Sequence, residues 1–250
     1  MDRSPRNFKL VIEYDGAAYH GWQRQKDMPT VQGAIEGALE TMTRQSVTVI
    51  GAGRTDAGVH ALNQVANFLV DTRHTPEVFK KGLNSLLAGD IVIKECSQVD
   101  DTFHSRYDVQ SKVYDYRILN RPTPTAIFRQ YAWYIKKALD LDAMRVAMDF
   151  IKGQHDFSAF QTSGSPRSHA VRNVMDATLT TKNAEGYFVF TIQANGFLRG
   201  MVRNIVGTLV EVGLRKMLPE EFERILISRD RRQAGATAPP HGLFLREVKY

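Results

Sequence analysis

The sequence predicts an α+β fold of two similar halves, with largely antiparallel sheets joined around a central active-site cleft and helices on the outer face. Three observations point there. Short segments that alternate apolar and polar residues recur along the chain, and stretches with apolar residues at helical spacing separate several of them. The charge balance also changes near Gln110: residues 1–110 hold 12 Lys and Arg against 14 Asp and Glu, a net −2, whereas residues 111–250 hold 21 against 13, a net +8. The expected organisation is an N-terminal α+β half over 1–110 and a basic C-terminal α+β half over 111–250.

Residues 8–14 (FKLVIEY) read as a strand that ends in the turn pair Asp15-Gly16. Thr30 suits a helix N-cap, and Val31, Ile35, Ala38, Leu39 and Met42 then recur at helical spacing through residue 44. Residues 46–50 (SVTVI) and 65–70 (VANFLV) read as strands flanking a loop that contains Asp56. Thr75-Pro76 opens a helix to about residue 87, since proline suits the first helical position, and residues 91–96 form a further strand. In the second half, residues 112–120, 130–135, 174–181 and 187–193 read as strands, with a helix over 142–152 stopped by Gly153. A long helix spans 197–214, Pro219 starts another, and residues 242–249 close the chain as a strand.

Composition narrows the function classes. Of 250 residues, 43% are hydrophobic and 24% charged, which suits a folded globular protein. No apolar run approaches the roughly 18 residues of a membrane span. The start Met1-Asp2-Arg3-Ser4-Pro5-Arg6 lacks the apolar stretch of a secretory signal, so a cytoplasmic protein with no membrane partner is expected. The single cysteine, Cys96, excludes an internal disulfide and reads as a small hydrophobe within a strand. A net charge of +6, concentrated in the second half, suits a polyanion partner, although a solvated basic face explains it equally well.

Familiar cofactor motifs fail on their spacing. Gly51-Ala52-Gly53-Arg54-Thr55-Asp56 begins like a dinucleotide fingerprint but has Asp56 where its third glycine should stand. Gly53 to Gly58 has phosphate-loop spacing, yet Val59 replaces the required lysine. The seven histidines, at 20, 60, 74, 104, 155, 169 and 241, form no metal-binding pair. Neither a cofactor nor a metal is expected. What remains is Asp56, in the loop Gly53-Arg54-Thr55-Asp56-Ala57-Gly58-Val59-His60. An aspartate there is either a turn residue bonding its own backbone or a reacting carboxylate. The long apolar helix carries one arginine, Arg203, which needs an anionic partner if buried; Asp56 is one candidate, and snorkelling to solvent is the other outcome.

These residues carry a resemblance over nearly the whole chain. Tyr14-Asp15-Gly16 with Tyr19, Gly21-Trp22-Gln23 and Gln25, then the segment 53–61, then Phe103-His104, Arg106, Lys112, Tyr114 and Tyr116 follow in order. Asn195-Gly196-Phe197-Leu198, Met201-Val202-Arg203-Asn204, Gly207-Thr208-Leu209, Thr237-Ala238-Pro239 and His241-Gly242-Leu243 complete the series. In this series the chain resembles the tRNA pseudouridine synthase A family, departing from its pattern at Ser105, Tyr107 and Pro240.

The resemblance implies an isomerase that detaches uracil from its ribose in tRNA, turns the base and rejoins it through carbon 5. It implies that Asp56 is the attacking carboxylate, with Arg203 as its cation. Tyr114 would stack on the uracil, Tyr116 being the residue most readily confused with it, and Arg54 would hold the target nucleotide out of the stack. His60 either pins the loop or touches RNA. The implied target is the 3′ side of the anticodon arm, at tRNA positions 38 to 40, gripped by a homodimer. Arg167, Arg172, Arg231 and Arg232 are candidate phosphate contacts. A non-catalytic RNA-binding module and a small-molecule hydrolase or lyase using Asp56 remain as alternatives. Formation of a nucleoside product separates the first from the enzyme, and indifference to RNA and salt identifies the second.

Overall fold

A computed structural model describes residues 5–162, 170–181 and 185–250. Arg167 and His169 fall outside the described residues. The chain forms two compact units, Met1–Gln110 with Leu245–Tyr250, and Ser111–Phe244. The class is α+β with mostly antiparallel strand pairing, and no described helix is long and apolar enough to cross a membrane.

In unit one, β1 (Arg6–Tyr14) buries Phe8, Leu10, Ile12 and Tyr14 on one face, the period of two that the sequence shows. Helix α1 (Val31–Thr43) starts at Thr30, whose hydroxyl accepts from Gly33 N–H, and ends at Arg44. A short β2 (Ile50–Gly51) pairs with β3 (His60–Val70). Helix α2 (Pro76–Leu86) is capped by Thr75, and β4 (Ile91–Val99) follows. β1 lies between β3 and β4, antiparallel to both. Phe79 of α2 packs edge-on against Phe8 and Phe68, with centroids 4.8 and 5.2 Å away, which fixes that helix on the buried face.

In unit two, β5 (Ser111–Asn120) pairs with the short parallel β6 (Trp133–Ile135) and with β9 (Tyr187–Ala194). Helix α3 (Leu141–Asp149) and β7 (Gly153–Asp156) precede β8 (Val171–Thr181), giving the order β5-β9-β8-β7. Helix α4 (Met201–Gly213) is buried on nearly every side, with only Arg203 and Glu211 partly exposed. Helix α5 (Pro219–Ser228) follows, its Phe222 stacked on Phe160 at 5.3 Å. The closing strand β10 (Leu243–Lys249) passes into unit one at Leu245. There Gln110 N–H bonds the Lys249 carbonyl and the Tyr250 hydroxyl bonds the Ser105 carbonyl.

The helix expected over 142–152 ends at Asp149, the strand expected over 65–70 starts at His60 and that over 91–96 runs to Val99, and three further elements differ for a local reason. The strand over 46–50 shrinks to Ile50–Gly51, because Val49 N–H donates to the Glu36 carboxylate and the Val49 carbonyl accepts from Gln32; helix side chains satisfy backbone that a ladder would otherwise hold. The long helix starts at Met201 rather than 197, because Gly200 takes φ +70° at its N-cap. The strand over 130–135 is confined to Trp133–Ile135, following a 3-10 turn over Arg129–Tyr131 that begins from left-handed Phe128.

Candidate active site

The Asp56 loop joins β2 to β3 and is held at every side. Tyr14, at the end of β1, follows a register shift against β3 and places its hydroxyl 2.8 Å from the Thr55 hydroxyl. Burial pushes the Tyr14 phenol well above its usual range, so it stays a neutral hydrogen-bonding group. Trp22 N–H donates to the Thr55 carbonyl at 3.1 Å, and Gln64 donates to the Gly53 carbonyl at 2.8 Å. The opening N–H groups of α1 hold the same structure from behind, since Val31 and Gln32 donate to the carbonyls of Gly21 and Trp22.

Asp56 itself opens a tight turn. Val59 N–H donates to the Asp56 carbonyl at 3.2 Å, and Gly58 takes φ +75°, a left-handed position that glycine adopts without steric cost. The turn closes through the Asp56 backbone carbonyl. Asp56 is half-buried and Arg54 exposed, two residues apart on the same loop. His60 is 1% exposed, with Nδ1 at 3.1 Å from Gly16 N and 2.9 Å from the Asp15 carboxylate. Its contacts tie the end of the loop to the end of β1.

Tyr114 and Arg203 belong to unit two. Tyr114 stands on β5 opposite Ile192, 7% exposed, with Phe197 edge-on at 4.9 Å. Tyr116, two residues along on the same face, is fully buried, and its hydroxyl donates to the Pro239 carbonyl at 2.8 Å. Burial pushes its phenol up, against the opposing charge of Arg203. That engagement and full burial make Tyr116 a core residue. Arg203 is half-buried in the first turn of α4, and Nε donates to the Ala238 carbonyl at 2.8 Å while its own carbonyl accepts from Ala238 N–H. Gly207 makes this possible: a Cβ there would lie 1.8 Å from the Ala236 carbonyl oxygen, so only glycine lets the segment pass so close to the helix.

The candidate phosphate contacts separate. Arg231 turns inward, donating to the carbonyls of Ala234 and Gly235, to Asn204 and to Thr237, which makes it a tie for the segment beside α4. Arg232 is exposed and pairs with Asp230, holding that carboxyl at about 2 chiefly by hydrogen bonding. Arg172 donates to the Val171 carbonyl, and burial lowers its pKa. The support the sequence did not single out is Gln64, while Tyr14 and Thr55 stood in the resemblance without a role as supports. Its only advance signal was a polar residue on the buried face of a strand.

Among the described residues no group of three or more His, Cys, Asp or Glu stands ready to hold a metal ion. Burial pushes the Cys96 thiol up to about 12, which suits an inert side chain.

A family model described as tRNA pseudouridine synthase matches residues 10–108 and 147–250. A protein called tRNA pseudouridine synthase A in Thermoanaerobacter sp. (strain X514) is 47% identical over 245 residues, covering 98% of this chain and 100% of the relative. Its namesake in Acetivibrio thermocellus is 47% identical over the same spans. The tRNA pseudouridine synthase A 2 of Clostridium tetani is 45% identical over 247 residues, covering 98% of this chain and 99% of its own.

Proposed function

The chain belongs to the tRNA pseudouridine synthase family, and from that membership we infer that it is an isomerase converting uridine to pseudouridine in tRNA. Asp56 is the nucleophile. Its carboxylate attacks ribose carbon 1′, the bond from that carbon to uracil nitrogen 1 breaks, and the base turns in the site. Uracil carbon 5 then forms the new bond to carbon 1′ as the carboxylate leaves, the carbon 5 proton goes to solvent, and nitrogen 1 takes up a proton. Atoms and electrons balance without an oxidant or an energy source.

Arg203 is the cation that partners the Asp56 carboxylate, Tyr114 packs on the uracil, and Arg54 keeps the extruded nucleotide out of its stack. The observation that carries this reading is the way the loop is built. Thr55 is fixed by Tyr14 and Trp22, and the turn closes through the Asp56 carbonyl, so the backbone that carries the Asp56 carboxylate is held on both sides. Arg54 is exposed on the same loop, which supports its proposed part in meeting RNA.

The finer assignments belong to the same reading. The target is the 3′ side of the anticodon arm, the working form is a homodimer, and the compartment is the cytoplasm. The deciding experiment supplies unmodified tRNA labelled with tritium at uracil carbon 5. Release of tritium to water with formation of pseudouridine is expected, and binding without release would leave only an RNA-binding module.

A further inference from the structure

Residues 19–29 form a tongue between β1 and α1 that is stitched to the Asp56 loop. Gly58 N–H donates to the Tyr19 carbonyl at 3.4 Å, and Trp22 N–H to the Thr55 carbonyl at 3.1 Å. Arg24 stands on this tongue. Summing the two residues back to Trp22, the hydrogen bond and the step to Asp56, the Cα atoms of Arg24 and Asp56 are at most about 16 Å apart.

Arg24 is exposed over 69% of its side chain, yet it is held in place. Its backbone N–H donates to the Gln32 side chain at 2.8 Å, and its guanidinium donates to Glu36 at 3.2 Å. Gln32 and Glu36 sit one turn apart on α1 and are buried, at 6% and 7% exposure. One Glu36 oxygen is occupied from within, by Val49 N–H at 3.0 Å and by Gln32 at 2.9 Å, and the other faces Arg24. A surface arginine normally loses rotamer entropy when it pairs, and such pairs contribute little. Here the partner carboxylate is immobile before the arginine arrives.

Stability alone does not require this arrangement. A glutamine at 36 has an oxygen for Val49 and Gln32 without placing a charge in a buried site, where charges are costly. What the pair adds is an oriented guanidinium that uses one bond of a five-donor fork and keeps the rest at the surface. Such a fork matches phosphate oxygens.

We propose that Arg24 grips a phosphate of the RNA strand whose nucleotide is presented to Asp56, with Gln32 and Glu36 as positioning residues. The inference rests on the tRNA reading above. Its test measures binding and turnover of unmodified tRNA, over a range of salt, for wild type, Arg24→Lys, Glu36→Gln and the double variant Arg24→Gln with Glu36→Gln.

The double variant removes both charges, so no buried carboxylate is left unpaired. Its affinity should fall about tenfold, the size expected for one lost charge-assisted hydrogen bond. The log-log salt slope should shrink by about one, with the loss in kcat/KM carried by KM. Arg24→Lys and Glu36→Gln keep the cation but lose the fork or its anchor. They should bind with intermediate affinity and the wild-type slope. A double variant with wild-type affinity and slope, changed only in melting temperature, assigns Arg24 to neutralising Glu36 and overturns the inference. Failure of the wild type itself to bind or modify tRNA overturns the underlying tRNA reading instead.

Discussion

Tyr14, the last residue of β1, meets Thr55 hydroxyl to hydroxyl at 2.8 Å, in surroundings where neither residue is more than 8% exposed. Thr55 also takes Trp22 N–H on its carbonyl, so the residue before Asp56 is fixed through both side chain and backbone. For the proposed nucleophile Asp56 this matters, because small displacements of a nucleophile are costly to rate.

The first prediction is that Tyr14→Phe leaves the Thr55 hydroxyl buried and short of a partner. It should cost about 1–3 kcal/mol of stability and lower kcat more than it changes KM. Thermal unfolding and turnover on saturating tRNA check it. Wild-type kcat in a folded variant would show that this bond supports the fold without setting the geometry at Asp56.

The second prediction separates the two tyrosines of β5. Tyr116→Phe removes the donor to the Pro239 carbonyl and should lower stability by about 1 kcal/mol while turnover is kept. Tyr114→Phe keeps the ring beside Phe197, so loss of turnover in that variant assigns the Tyr114 hydroxyl a part in proton movement. Retained turnover limits Tyr114 to stacking. If Tyr116→Phe instead abolishes turnover with little change in stability, the two roles are exchanged.

The elements that were legible in the sequence are those whose burial matches a simple period. β1 alternates over Phe8, Leu10 and Ile12, and Thr30, Thr75 and Pro219 mark helix starts that the structure keeps. Residues 46–50 misled because Val47 and Val49 are buried as in a strand, but their segment is held by Gln32 and Glu36 from a helix, a partnership no period reveals. Likewise Arg231 looked like one of a basic surface pair, and only the fold shows four bonds turning it inward. The loop carrying Arg54 and Asp56 was readable from its composition. The supporting role of Tyr14 and Trp22 was not, because both reach the loop from well before it in the chain, a partnership that only the fold brings about.

The third prediction concerns Arg231 and Arg232, which should part company. Arg231→Ala should destabilise the protein by about 2 kcal/mol or more through its lost bonds, leaving the salt dependence of tRNA binding unchanged. Asp230 is held at about 2 by Arg232, below its ordinary 3.8, so the pair's contribution is present above about 3.8 and is lost as pH falls through about 2. Arg232→Ala should return the Asp230 midpoint toward 3.8, read by NMR titration of the carboxyl. An unmoved midpoint would place the cause in the backbone N–H groups of that turn.

A fourth prediction addresses Arg203, proposed as the cation for Asp56. Arg203→Met keeps much of the apolar stem within α4 but removes the charge and the bond to the Ala238 carbonyl. Turnover should fall by about a hundredfold or more in a protein that still unfolds cooperatively. A variant that loses stability but not rate would confine Arg203 to holding the 237–239 segment.

The last prediction separates an enzyme from a binding protein by one functional group. Asp56→Asn has nearly the same volume, and the turn at 56–59 closes through the backbone carbonyl, which asparagine retains. A purely structural Asp56 would thus tolerate the change, since asparagine suits such turns. As a nucleophile it would not, because the amide carries no negative charge and cannot form the bond to ribose carbon 1′. Binding should persist, being spread over many contacts besides this one side chain. The variant should fold, bind unmodified tRNA about as tightly as wild type, and release no tritium from uracil carbon 5 above background. Should it keep even a tenth of wild-type turnover, with hydrolysis back to aspartate excluded by mass spectrometry, the reaction runs without the Asp56 carboxylate and the proposed mechanism is wrong.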